Sequence, residues 1–127
     1  MRIVFLLLIA AALAGCSRQD RSAPPDTAAL ARLEEQKKEQ ARSDVKSLEM
    51  ATSMYKVRHG ELPMTLDALA SRGAEGALPY IEAQLLVDPW GRKYVFERDK
   101  LDPLTGKPQI RSKGPNPDDP KSWITNW

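Results

Sequence analysis

Cysteine and histidine are almost missing from this chain of 127 residues, which contains one of each, Cys16 and His59. A single cysteine excludes an internal disulfide and a thiolate metal cluster, and a single histidine excludes a histidine-rich zinc site. The Gly-x-Ser-x-Gly elbow of a serine hydrolase and the glycine-rich loop of a phosphate-binding site are missing too. His59 therefore lacks the partner motifs that indicate catalysis, and we expect a protein that is not an enzyme.

An excess of charge of one sign is also lacking. The 19 lysines and arginines nearly balance the 17 aspartates and glutamates, for a formal net charge of +2. The two signs are interspersed along the chain, whereas nucleic-acid-binding domains carry a concentrated basic surface. We therefore expect no nucleic-acid partner. The length allows one small domain once a leader segment is removed.

The one extended hydrophobic run covers residues 3–12 and follows Arg2. A basic start, a short apolar core and small residues before a cleavage site are typical of a secretory signal peptide. The run is shorter than the roughly 20 apolar residues of a membrane-spanning helix. Residues 13–16, Leu-Ala-Gly-Cys, resemble the bacterial lipobox. The resemblance implies cleavage before Cys16 and fatty acids, such as palmitate, attached to that residue.

Lipidation of Cys16 would hold the protein on a membrane, because several acyl chains on one residue bind a bilayer far more firmly than one chain. Lipoprotein families use the residue after the cysteine as a sorting signal. Here it is Ser17 and not the aspartate that retains a lipoprotein in the inner membrane. We therefore expect a protein that faces the periplasm, with the outer membrane favoured over the inner. The alternatives are an ordinary signal peptide with a chance cysteine and an uncleaved anchor.

Composition divides the sequence into a leader, a tether and a domain. The tether is polar and contains two adjacent prolines, which is typical of a flexible linker. The helical segment that follows has no proline or glycine, and the second half of the chain is rich in proline. The expected parts are a signal peptide (1–15), a tether (16–26) and a domain (27–127) made of a helical stalk (27–59) and a head (60–127).

The two halves of the expected helix differ in their side chains. Residues 33–42 are almost all charged or polar, with opposite charges three and four positions apart, as in Glu34 and Lys38. This half is expected to be either a solvated stalk or a contact face for another helix. The other half has apolar residues at helical spacing. They predict a buried face of Ala41, Val45, Leu48, Thr52 and Tyr55, widened by Met50, Met54 and Val57.

The rest of the chain predicts a small antiparallel sheet. Residues 88–91, Asp-Pro-Trp-Gly, are expected to form a tight turn, and residues 93–98 then alternate as in a strand. Residues 109–112 predict a second strand, and residues 123–124 belong either to a third short strand or to a packed tail. The expected fold class is α+β, a long N-terminal helix packed on about three strands. The aromatic residues expected in its core are Trp90, Tyr94, Phe96 and Trp127.

The order of these landmarks resembles the soluble domain of the type II secretion major pseudopilin, secretion protein G. The resemblance lies in the helix end, the Gly-x-x-Pro turn, the Asp-Pro-Trp-Gly turn, the Ser-x-Gly exit from the second strand and the final strand. It implies a long helix with a small antiparallel sheet packed on its end. The matching segments are residues 41–51, 60–65, 88–91, 110–114 and 124–127.

The start of the chain departs from the pattern of that family. Pseudopilins begin with a prepilin-peptidase site, Gly before Phe-Thr-Leu-Ile-Glu, and a long apolar helix that packs in a filament; this sequence has a lipobox instead. The resemblance therefore implies a lipid-anchored accessory or structural component of a type II secretion or type IV pilus-like system. Its expected partners are pseudopilins or other secretion-system proteins. The alternative is a stand-alone envelope module that keeps only the fold.

The resemblance also implies a calcium ion in the loop after the second strand. Calcium binds six to eight oxygen ligands from carboxylates, carbonyls and water. The residues of this chain that match the family's ligands in type are Ser112, Asn116, Asp118 and Asp119. The alternative is a turn in which Asp118 and Asp119 only accept hydrogen bonds from nearby amides.

Overall fold

A 33-residue helix, α1 (Thr27–His59), is the largest element of the structure, a computed structural model that describes residues 26–127. The helix begins where the Asp26 side chain accepts a hydrogen bond from the Ala28 amide, 3.2 Å away. It ends at Gly60, whose φ of 81° is a left-handed conformation that glycine adopts most easily. The expected signal peptide, Cys16 and nearly all of the expected tether lie outside the described residues.

The charged half of α1 pairs its charges within the helix. Exposed pairs of this kind contribute little to stability. The head reaches this half through Trp90, whose indole N–H donates to Glu34 at 3.0 Å and lowers the pKa of that carboxyl. The pairs within the helix are Glu34–Lys37 (3.1 Å), Glu35–Lys38 (3.3 Å) and Glu39–Arg42 (3.0 Å).

Three antiparallel strands form one sheet in the order β1-β2-β3. They are β1 (Val95–Leu101), β2 (Pro108–Ser112) and β3 (Ile124–Thr125). Phe96 lies opposite Ile110 in the first pair, and Ser112 lies opposite Ile124 in the second. The third strand is therefore present, and the predicted α+β architecture of a long helix on three strands is confirmed.

The core lies between the second half of α1 and this sheet. A short helix, α2 (Asp67–Ala70), closes one side of it, with Leu69 fully buried. Such burial contributes about 1.5–3 kcal/mol for a large apolar side chain. The residues of the core cluster are Val45, Leu48, Ala51, Leu66, Leu69, Ile81, Tyr94 and Ile110.

Polar residues complete the helix face that meets the sheet. Asp44 is buried there, accepting hydrogen bonds from the Tyr94 hydroxyl at 2.9 Å and the Gln40 amide at 2.7 Å. Burial, with the hydrogen bond to Asp44, raises the pKa of Tyr94 well above its ordinary value. Thr52, also buried, donates to the Leu48 carbonyl at 2.7 Å. Because each of these buried polar groups has a hydrogen-bond partner, this face is buried without additional apolar residues.

The predicted widening of the buried face is wrong. Met50, Met54 and Val57 are 67%, 55% and 88% exposed and lie on the side of α1 that faces away from the sheet. Trp127, expected in the core, is 39% exposed, and the Lys100 ammonium lies 5.9 Å from the centre of its ring. Among the described residues, none of the helices has both the length and the apolar character that crossing a membrane requires.

Candidate functional site

The predicted turn at residues 88–91 is organised by one buried carboxylate. Asp88 Oδ1 accepts hydrogen bonds from the backbone amides of Trp90 at 3.1 Å and Arg92 at 2.9 Å. Its Oδ2 accepts from the Ser112 hydroxyl, at 2.6 Å, at the end of β2. The Ser112 hydroxyl in turn accepts from the Gly114 amide at 3.0 Å. Asp88 therefore joins the turn before β1 to the point where the chain leaves β2.

The exit loop, residues 113–123, follows from that point and returns the chain to β3. The hydroxyl of Ser122 lies within hydrogen-bond distance of three backbone carbonyl oxygens of this loop. They belong to Lys113 at 3.2 Å, to Asp119 at 2.9 Å and to Asn116. The loop therefore converges on a side chain that sequence reasoning missed, because no local pattern distinguishes Ser122 from any other loop serine.

Two more side chains donate to the same loop. A guanidinium N–H of Arg92 donates to the Gly114 carbonyl, and the Trp123 indole N–H donates to the Pro117 carbonyl at 3.1 Å. Arg92 comes from the turn that Asp88 organises, so the two segments are joined by a charged hydrogen bond as well. Such bonds are roughly twice as strong as neutral ones.

The four predicted calcium ligands take separate roles in the structure. The Ser112 hydroxyl is bonded to Asp88 and to the Gly114 amide. Asp119 caps the short helical turn Pro120–Ser122 by accepting from the Lys121 amide at 3.0 Å, as in the alternative interpretation of a turn. Asn116 and Asp118 are exposed. Within residues 26–127, no three His, Cys, Asp or Glu side chains are grouped closely enough to hold a metal. Calcium binding stays a prediction.

The side of α1 opposite the core presents an apolar surface. We call Met50, Met54 and Val57 the outer stripe, because steps of four and three residues place them along one line of a helix. With Arg58 and Tyr80 they border a shallow hollow of about 390 Å³. Exposed apolar residues that lie side by side are candidates for a protein-interaction site. The sequence pattern detected these residues but assigned them to the wrong side.

His59 belongs to an aromatic cluster at the end of α1. Its ring stacks on Tyr55 with 4.2 Å between centroids, and its Nε2 lies 3.2 Å from the Tyr80 hydroxyl. The three rings pack the C-terminal end of α1 against the segment that precedes β1. This arrangement supports a packing role for His59 at the helix end.

A comparison with protein-family models gives a match over most of the chain. The model described as "Type II secretion system (T2SS), protein G" matches residues 28–122, from the first turn of α1 to Ser122 in the exit loop. The match includes α1, the Asp88 turn, β1, β2 and Ser122. Neither the curated proteins nor the solved structures contain a significant match.

Proposed function

The chain belongs to the type II secretion system protein G family, and on that basis we propose that it is a lipid-anchored, non-enzymatic part of this secretion machinery. Membership makes it a pseudopilin-like component of the cell envelope. The finer proposal, a lipid anchor at Cys16 facing the periplasm with the outer membrane favoured, rests on the lipobox-like start of the sequence. The proposal is carried by a lipobox-like start of the sequence in front of a helix-and-sheet head.

The length of α1 suits this arrangement. The helix rises about 1.5 Å per residue, so residues 27–33, which precede the contact of Glu34 with Trp90 in the head, lengthen the helix by roughly 10 Å. The charges of the next segment, residues 34–42, are paired along the helix and partly exposed to water, so this N-terminal part of α1 needs no charged partner for its side chains. We infer that it separates the head from the membrane to which Cys16 is attached.

The lipid anchor is tested by labelling cells with an alkyne-tagged fatty acid and by mass spectrometry of the mature amino terminus. We expect a label on the parent protein, a chain that begins at Cys16 and a mass increase from the acyl groups. Cys16→Ser should reduce the label to background, whereas the neighbouring Ser17→Ala should keep it. A mature chain that begins at Met1 with a free thiol would exclude the anchor and favour a filament subunit with an unusual leader.

The outer stripe is the surface that we propose for contact with another secretion-system protein. The proposed occupant is an amphipathic helix of a pseudopilin, because anchors spaced by four and three residues match helix-to-helix recognition. Lys46 and Arg58 flank the stripe at its two ends, so the matching helix should carry acidic residues beside its apolar face. The hollow beside Tyr80 gives that helix a place for a large side chain.

The contact is tested by co-purification with co-expressed pseudopilins of the same secretion system, and by photo-crosslinking from position 54. Met54→Asp should lower recovery at least about tenfold, because a buried carboxylate without a partner opposes binding. Leu104→Asp is the matched control, since Leu104 is 94% exposed in the turn between β1 and β2. Equal recovery of parent and Met54→Asp would refute the outer stripe as the contact. If no pseudopilin is recovered with the parent either, the stand-alone envelope module becomes the better account.

A further inference from the structure

Side chains of the exit loop and of the Asp88 turn donate to the carbonyl oxygens that a cation would use. The carbonyls of Lys113, Asn116 and Asp119 face the Ser122 hydroxyl. Those of Gly114 and Pro117 accept from Arg92 and Trp123. Three side chains therefore bring donors to five backbone oxygens of one short loop, and the single hydroxyl hydrogen of Ser122 can bond to one of its three carbonyls at a time.

The arrangement around Ser122 has the form of a small cation site with a hydroxyl at its centre. A serine hydroxyl has one hydrogen to donate, yet three carbonyl oxygens converge on it. In the structure it lies 3.2 Å from the Lys113 oxygen and 2.9 Å from the Asp119 oxygen, which are hydrogen-bond distances. Calcium would need these oxygens at about 2.3–2.6 Å and several more beside them.

The other oxygen ligands that the resemblance implies do not fit a calcium ion either. The Asp119 carboxylate is directed at the Lys121 amide, and the Ser112 hydroxyl is bonded to the Asp88 carboxylate. The guanidinium of Arg92, bonded to the Gly114 carbonyl, already brings a positive charge to the base of the loop. A divalent cation that used the Gly114 carbonyl would have to displace this guanidinium.

We infer that Ser122, Arg92 and Trp123 replace the cation that the family resemblance implies, so that the head folds without calcium. The Ser122 hydroxyl occupies the centre of the loop. Arg92 contributes the positive charge, and the Trp123 indole closes the side nearest β3. The exit loop then keeps its shape at any calcium concentration, and with it the connection between β2 and β3.

The test uses the full chain, purified in detergent, in a thermal unfolding experiment with EDTA and with excess calcium chloride. The two midpoints should agree within about 1 °C, because only a ligand that binds the folded state shifts the midpoint. A calcium site of even millimolar affinity would raise the midpoint by several degrees at saturating calcium. Stabilisation by calcium that Asp118→Ala with Asp119→Ala removes would overturn the inference and establish the calcium site.

Two Ser122 variants test whether this hydroxyl stabilises the exit loop more than an ordinary loop serine would. Ser122→Ala should lower the midpoint by roughly 5 °C in EDTA. The control Ser47→Ala, which removes an exposed hydroxyl bonded to the Ser43 carbonyl at 3.1 Å, should change it little. Ser122→Asp should be destabilised in EDTA and recover in calcium, since a carboxylate among carbonyl oxygens needs a cation. A Ser122→Ala midpoint equal to that of the control would count against the central role.

Discussion

Replacing Asp88 with alanine should lower the free energy of unfolding by about 3–5 kcal/mol. The carboxylate is buried and accepts three hydrogen bonds, from the amides of Trp90 and Arg92 and from the Ser112 hydroxyl. Hydrogen bonds to a charged group contribute about 1.5–3 kcal/mol each, and a buried donor left without an acceptor adds its own penalty. The effect should exceed that of any exposed acidic residue, because the turn and the end of β2 lose their common partner.

Urea denaturation measures this effect, with the slope of the transition as the check that both variants unfold in the same way. Asp88→Asn is the matched variant: its amide oxygen can still accept from the two backbone amides, so its loss should be clearly smaller. Asp67→Ala is the surface control, since Asp67 makes an exposed ion pair with Lys93 at 3.0 Å and should change stability by less than about 0.5 kcal/mol. An Asp88→Ala loss as small as that of Asp67→Ala would refute the role of Asp88.

The fold was predictable from the sequence because its main elements are specified locally. The helix from 27 to 59 follows from an uninterrupted run without proline or glycine, a polar residue before it and Gly60 after it. The Asp-Pro-Trp-Gly turn and residues 93–98 predicted a strand in the right place, but β1 begins at Val95 and runs to Leu101, three residues beyond the predicted end. A segment of two residues such as β3 is too short to show a strand pattern, so the sequence does not distinguish it from a packed tail. Its pairing with β2 in the structure shows that it is a strand.

The outer stripe was predicted to lie on the core side of α1, and the reason for this error lies in tertiary contacts. Periodicity groups residues that share a helix face but does not say which of two faces meets the sheet. Asp44 and Thr52 fill places on the buried face, because Tyr94 and the Leu48 carbonyl satisfy their polar groups. The predicted face already included Thr52 but left out Asp44, which an apolar pattern counts as polar, and it was widened with Met50, Met54 and Val57 instead.

The exit loop could be predicted only in part. The resemblance directed attention to this loop through ligand types such as Asp119, but the roles of the loop oxygens depend on donors that include residues distant in the sequence. Arg92 is 22 positions from Gly114, whose carbonyl it reaches. Ser122 approaches the Lys113 carbonyl only because the loop turns back on itself. Contacts of this kind have no local signature in one sequence.

Gly114→Ala should be the most destabilising glycine substitution in the head, with a loss of roughly 3–5 kcal/mol. Gly114 has a φ of +65°, where an L-residue is strained by about 1–2 kcal/mol. An added Cβ would also overlap the backbone carbonyl of Ser122. A backbone group cannot turn aside as a flexible side chain can, so the exit loop has to move and the Ser122 hydroxyl loses its carbonyl partners.

Gly106→Ala is the control that separates the two causes. Gly106 has nearly the same φ, +66°, but a Cβ there would meet no atom within 4 Å. Its expected loss is therefore only the conformational part, about 1–2 kcal/mol. The difference between the two variants, measured by urea denaturation, is the contribution of the contact between Gly114 and Ser122. In Gly114→Ala the indole N–H resonance of Trp123 should also shift in NMR spectra, because its bond to Pro117 lies in the displaced loop. Equal losses for both variants, with that resonance unchanged, would mean that the exit loop is not packed against Gly114.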